Sequence, residues 1–61
     1  MTASEFKDAR MQLGLSQTGM AEALRLGPNG YRTIQRWEAG DTPVTGPASI
    51  AVELMLKAQG E

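Results

Sequence analysis

Sixty-one residues with a formal net charge of −1 and neither cysteine nor histidine make one small domain with a marginal core, since a chain this short buries only about 60% of the surface its unfolded form exposes. The composition excludes disulfides and the usual zinc sets, and the length leaves no room for an enclosed active site. There is no apolar run of about 18 residues and no signal-peptide pattern, so a soluble, cytoplasmic chain with no membrane contact is expected.

Residues 1–61 read as a single all-α domain of four short helices joined by tight turns. Thr2-Ala3-Ser4-Glu5 has the form of a capping box, in which the threonine hydroxyl takes the free amide at Glu5 and the carboxylate reaches back. Phe6, Ala9, Arg10 and Leu13 then recur at helical spacing, and Gly14 suits a left-handed stop, giving helix one over about 3–13. Arg10 is out of place on that apolar stripe: either its stem snorkels, or its head meets a carboxylate from another helix.

Ser16 is a good N-cap for helix two, about 17–24, with Leu15 and Met20 at hydrophobic-staple positions and Met20, Ala21 and Leu24 facing inward. Gly19 in its first turn costs on the order of 1 kcal/mol against alanine, which is either a tolerated weak spot or the mark of a close approach by helix three or a ligand. Arg25-Leu26-Gly27-Pro28-Asn29-Gly30 is turn chemistry throughout, with Leu26 expected to drop into the core and Asn29 or Gly30 to cap helix three.

Helix three, about 31–39, has an apolar back of Ile34 and Trp37 and a polar front of Tyr31, Arg32, Gln35 and Arg36, and Gly40 ends it. Asp41 to Thr45 is an extended loop with Val44 turned inward. Gly46-Pro47 reads as N-cap and first residue of helix four, about 47–58. Ile50, Ala51, Leu54 and Met55 make the core face expected of that helix. Val52 and Leu56 lie off it, either as a second apolar surface for a partner or wrapped into the core of so short a chain.

The acidic pI of 5.3 is the reverse of a nucleic-acid binder's usual footprint, but the distribution matters more than the sum. From Arg25 to Trp37 there are three arginines and no acid. Arginine and glutamine carry donors and acceptors at spacings that fit base edges, so the front of helix three reads either as a solvated face or as a surface able to enter a DNA groove.

Phe6-x-x-Ala9-Arg10, Leu13-Gly14-Leu15-Ser16-Gln17, Met20-Ala21-x-x-Leu24, Thr33-Ile34-x-Arg36-Trp37-Glu38-x-Gly40, Pro43 and Gly46-Pro47 together resemble the phage repressor and Cro-type (XRE-like) helix-turn-helix domain. The match spans about residues 3–56. The resemblance implies a compact four-helix repressor-like fold. It implies a structural ion pair between Arg10 and Glu38, major-groove base reading by Tyr31, Arg32, Gln35 and Arg36, and a phosphate contact at Gln17 beside its helix-two neighbours Ser16 and Thr18. Further phosphate contacts are expected at Arg25, Asn29, Thr33, Thr42 and Thr45.

Two departures from the family pattern bear on these positions. The turn 25–30 is about three residues longer than usual, which either adds a phosphate contact through Arg25 or Asn29 or tilts helix three and so changes which of the four front residues reach bases, and relatives with a fifth helix are common. The function implied is sequence-specific binding of double-stranded DNA by a transcriptional regulator, a repressor of the phage or mobile-element kind, acting as a homodimer through helix 47–58. The alternative is an antitoxin-like protein-interaction module on the same fold. No cofactor and no metal is expected. An enzyme is not expected, because the chain lacks histidine, cysteine, paired carboxylates in a pocket and a phosphate-binding glycine loop.

Overall fold

A computed structural model describes Met1–Gly60 and contains four helices among those residues: α1 (Ala3–Gln12), α2 (Gln17–Ala23), α3 (Gly30–Ala39) and α4 (Gly46–Gly60). This is the all-α, four-helix architecture that the sequence implies. None of the helices is long and apolar enough to cross a membrane.

The first three helix ends share one device. At α1 the Gly14 N–H donates to Met11 O and the Leu15 N–H to Arg10 O, with Gly14 at φ 70°. At α3 the Gly40 N–H donates to Trp37 O and the Asp41 N–H to Arg36 O, with Gly40 at φ 82°. At α2 the same pair of bonds runs from Arg25 to Glu22 O and from Leu26 to Ala21 O. Each is a Schellman closure, which requires a left-handed residue just past the helix. Glycine supplies it twice; the third time it is Arg25, at φ 58°.

The starts also follow local chemistry. Thr2 closes the expected capping box: Glu5 N–H donates to Thr2 Oγ1 at 3.1 Å and Thr2 N–H to Glu5 Oε1 at 2.8 Å. Those bonds from Thr2, the backbone donor foremost, hold the Glu5 carboxyl below its ordinary value. Stability from this cap is therefore present above the ordinary carboxylate range and is lost as pH falls through the lowered value. Ser16 caps α2 by accepting from Gly19 N–H at 3.0 Å.

At α4 the expected cap is displaced by one residue. Thr45, not Gly46, is the N-cap, its Oγ1 accepting from Ala48 N–H at 3.3 Å and its carbonyl from Ser49 N–H at 2.9 Å. A hydroxyl that takes a free amide stabilises a helix start more than glycine does. Pro47 then falls one position later in the first turn, where its missing N–H still has no intrahelical partner to lose.

Each helix contributes two residues to the core: Phe6 and Ala9, Met20 and Ala21, Ile34 and Trp37, Ala48 and Val52. Phe6 and Trp37 meet edge to face, ring centroids 5.4 Å apart and planes at 80°. Leu13, Leu15, Leu24, Leu26, Val44, Met55 and Leu56 pack around this set, half-buried. No polar side chain is fully buried among the described residues.

Two expectations about packing are corrected. The buried face of α4 is Ala48, Val52, Met55 and Leu56, while Ile50 and Leu54 stand 59% and 61% exposed. The sequence stripe 50, 51, 54, 55 shares only Met55 with this face, and Val52 and Leu56 are wrapped into the core, because a helix rich in apolar residues all round does not reveal which side the core takes. Gly19 is not approached by α3. A Cβ there would meet its own cap, Ser16 Oγ at 3.3 Å, and Leu15 Cδ2 at 3.6 Å.

The close approach lies at Gly30 instead. A Cβ on that residue would lie 2.6 Å from Leu26 Cβ and 3.0 Å from Ala21 Cβ. These atoms sit at the roots of their side chains and cannot swing away, so α3 seats on α2 only through a glycine. Gly30→Ala is expected to cost up to about 2 kcal/mol, overpacking of about 1–3 kcal/mol less the helix-propensity gain of about 1 kcal/mol. Gly46→Ala, whose Cβ would meet nothing within 4 Å, is the control. A urea midpoint lowered for the first substitution and unchanged or raised for the second is the expected result.

Candidate nucleic-acid interface

The turn 24–29 sets α3 against α2 so that Ile34 and Trp37 face the core and Tyr31, Arg32, Gln35 and Arg36 face away. Trp37 is 5% exposed and locked by Phe6, so the rotation of α3 is fixed from behind. Arg32, Gln35 and Arg36 are exposed and Tyr31 is half-buried. Residues 31 and 35, and 32 and 36, are four apart and therefore neighbours on the helix surface.

The four side chains line one shallow concavity with Ala39 and Asp41. A second concavity runs from Tyr31 over Pro28, Gly27 and Arg25 to Glu22 and Thr18. Tyr31 belongs to both, so α3, the turn 24–29 and α2 share one continuous surface.

The only ion pair among the described residues is Arg10–Glu38, which leaves the guanidiniums of Arg25, Arg32 and Arg36 without a carboxylate. Arg32 is not unconstrained: its Nε lies 3.4 Å from the Tyr31 hydroxyl and its guanidinium carbon 5.9 Å from the ring centroid. This contact holds the arginine over the tyrosine, an arrangement worth about 0.5–1 kcal/mol at an exposed site.

Arg10 and Glu38 pair as the resemblance implies, at 2.6 Å from Nε to Oε2 and 3.2 Å from NH2 to Oε1. Their side chains are 14% and 6% exposed. Arg10 NH1 also donates to Leu15 O at 2.9 Å, which ties the α1–α2 turn to the same pair.

Gln17 is drawn into this network. Its Nε2 donates to Glu38 Oε1 at 3.3 Å, and its Oε1 accepts from Gln35 Nε2 at 3.2 Å. The side chain expected on a phosphate is thus half-buried and engaged at both ends by the chain itself, and the expected base reader Gln35 is held by it. A chain of bonds runs from the protected Arg10 through Glu38 and Gln17 to the outward Gln35. Spacing along one helix cannot show a link between three helices, so the sequence carried no signal for it.

The other expected phosphate residues differ in exposure. Thr18, Asn29 and Thr42 are exposed and Thr33 is half-buried. Ser16 and Thr45 are exposed, but their hydroxyls already accept a helix-start amide each, leaving the O–H of each as the free donor. Thr18 and Arg25 lie on the concavity beside Tyr31. Asp41, an acid lining the same concavity as Tyr31, Arg32, Gln35 and Arg36, was expected only as the start of the loop after α3.

Arg25 is the residue whose position costs most. A non-glycine residue in the left-handed region pays about 1–2 kcal/mol, and glycine there would forfeit only part of that gain through the greater freedom of its unfolded chain. Arg25→Gly is therefore expected to raise stability by roughly 0.5–1 kcal/mol, which is about 2–8 °C in Tm for a domain of this size by calorimetry. An unchanged or lower Tm would show that the arginine side chain supports the fold.

The sequence is similar to part of two type II methyltransferases. M.SsoII of Shigella sonnei is 44% identical over 50 residues, covering 82% of this chain and 13% of the methyltransferase. M1.ScrFI of Lactococcus lactis subsp. cremoris is 35% identical over 51 residues, covering 84% of this chain and 12% of the methyltransferase. The chain thus spans about an eighth of the length of the curated relatives it matches. No family model matches the sequence, and no solved structure matches it.

Proposed function

We propose that the protein is a sequence-specific, double-stranded DNA-binding regulator of transcription, a repressor that reads the major groove with α3. The observation that carries this reading is the outward face of that helix. Two exposed guanidiniums without carboxylate partners and a glutamine fixed by a second glutamine stand on a helix whose other side is clamped by Trp37. Arginine takes guanine O6 and N7, and glutamine takes adenine N6 and N7. Thr18 and Arg25, on the concavity beside Tyr31, are assigned to phosphates, and Ser16, Asn29, Thr33, Thr42 and Thr45 are the further phosphate contacts of this reading.

Likeness to the two methyltransferases supports association with DNA. The net charge of −1 gives only weak attraction to phosphate at random, so affinity rests on the specific contacts. The protein acts in the cytoplasm as a homodimer. Its proposed dimer surface is the set of exposed apolar residues at four-residue spacing on α4, Ile50, Leu54 and Ala58. Two copies read half-sites about 34 Å apart.

Selection of bound sequences from a random DNA pool at moderate salt tests the reading. Enrichment of a two-fold symmetric site is the expected result, and recovery of no sequence above background removes the proposal. Arg25→Gly adds a second measurement on the selected site: weaker binding, with the slope of log affinity against log salt shallower by about 0.9, the signature of one lost phosphate contact.

A further inference from the structure

We infer that Asn29 is a self-modifying residue, losing its side-chain amide to the backbone nitrogen of Gly30 and leaving a carboxylate at the head of α3. Asn29 is exposed, and its side chain makes no capping hydrogen bond although it occupies the N-cap. The next residue has no Cβ to hinder approach to its nitrogen. Asparagine is among the chemically labile residues, and here nothing in the fold occupies its amide.

The reaction needs only water. Solvent base removes the Gly30 amide proton, the nitrogen attacks Asn29 Cγ, and a new C–N bond forms as the Cγ–Nδ2 bond breaks and ammonia leaves. Water then opens the five-membered imide. Attack at Cγ gives aspartate, and attack at the Asn29 main-chain carbonyl gives isoaspartate. No electrons change hands, and the net change is one water in and one ammonia out.

The fold sets the pace. In the closed structure the Gly30 N–H donates to Gly27 O at 3.0 Å, and Asn29 sits at ψ 22°. The nitrogen reaches Cγ only when this first turn opens, and helix ends are where such opening is cheapest. Conversion therefore reports fraying of α3, and a ligand that closes the turn slows it.

The consequence falls on the outward face and on the α2–α3 seat. Isoaspartate lengthens the main chain by one carbon immediately before Gly30, the residue with no room for a Cβ between Leu26 and Ala21. Either product places a negative charge next to Tyr31 and Arg32. On the DNA-binding reading proposed above, and resting on it, that charge opposes the phosphates.

The folded chain, the peptide 25–34 and the Asn29→Ser variant are held at physiological temperature at neutral pH and at about pH 9, then digested and sequenced by mass spectrometry with fragmentation that separates aspartate from isoaspartate. Conversion at residue 29 of the folded chain, faster at the higher pH and slower than in the peptide, is expected, with Asn29→Ser unmodified. Conversion in the peptide while the folded chain keeps its amide overturns the inference. In the second arm, Asn29→Asp binds the selected operator about fivefold more weakly than Asn29→Ser at low salt; equal binding removes the regulatory consequence. If residue 29 converts in a chain that binds no DNA, the modification stands and the DNA-binding reading falls.

Discussion

Glu38→Ala is expected to destabilise the domain by about 3–5 kcal/mol, the range for removing one partner of a buried ion pair and leaving the other uncompensated. The cost comes less from the lost attraction than from what remains. Arg10, 14% exposed, would keep only its bond to Leu15 O, and its Nε and NH2 would face the space left by the carboxylate. Gln17 would lose the acceptor of its Nε2 in the same step. A domain of this length has roughly 3–9 kcal/mol of stability in all, so the variant is expected to be largely unfolded at physiological temperature. Glu53, exposed and unbonded, is the control, and its alanine variant should fall within about 0.5 kcal/mol of the parent. Glu38→Gln keeps an oxygen acceptor without the charge and should lie between the two. Thermal unfolding followed by circular dichroism decides the matter. Similar melting temperatures for Glu38→Ala and Glu53→Ala would show that the pair is a surface contact and that α3 is held by its apolar back alone.

That pair was legible because a mismatch announced it. An arginine on the stripe Phe6, Ala9, Arg10, Leu13 demanded a partner, and the repressor-like pattern named Glu38. The helices were legible for local reasons: capping at Thr2 and Ser16, glycine at 14 and 40, and alternation of Ile34 and Trp37 with polar residues. Where local signals ran out, so did the reading. On α4 the apolar residues between 48 and 56 permit several faces, and only packing against the rest of the core selects Val52 over Ile50. Gly30 looked like a cap and is a packing contact, since the atoms that crowd it belong to α2 and the turn after it.

The outward face of α3 divides along the same line. That Tyr31, Arg32, Gln35 and Arg36 share a face follows from periodicity and the position of Trp37, and the structure places them so. That Gln35 is bonded to Gln17, or that Arg32 rests on Tyr31, depends on distances between side chains that no spacing encodes. The long turn shows both outcomes at once. Its residue types forecast a turn, yet nothing in them forecast that Arg25, rather than Gly27, would take the left-handed position that closes α2.

Replacing Arg32 and Arg36 together by alanine is expected to abolish selective binding while leaving the fold intact. Both side chains are exposed and neither is in an ion pair, so the structural loss is confined to the Arg32–Tyr31 contact and is offset by the helix preference of alanine. A guanidinium on a guanine edge is worth about 1–3 kcal/mol of discrimination. Two of them make about 2–6 kcal/mol, between about thirtyfold and ten-thousandfold in affinity for the selected site. The salt dependence identifies what was lost. If both arginines reach bases, affinity for random DNA hardly changes and its salt slope is preserved. If both grip phosphates, binding weakens on all sequences alike and the slope falls by about 1.8, twice the 0.9 expected per phosphate. A double variant that still binds the operator at full strength with its melting temperature unchanged would leave the guanidiniums as solvated surface. The operator would then be held by residues other than these two.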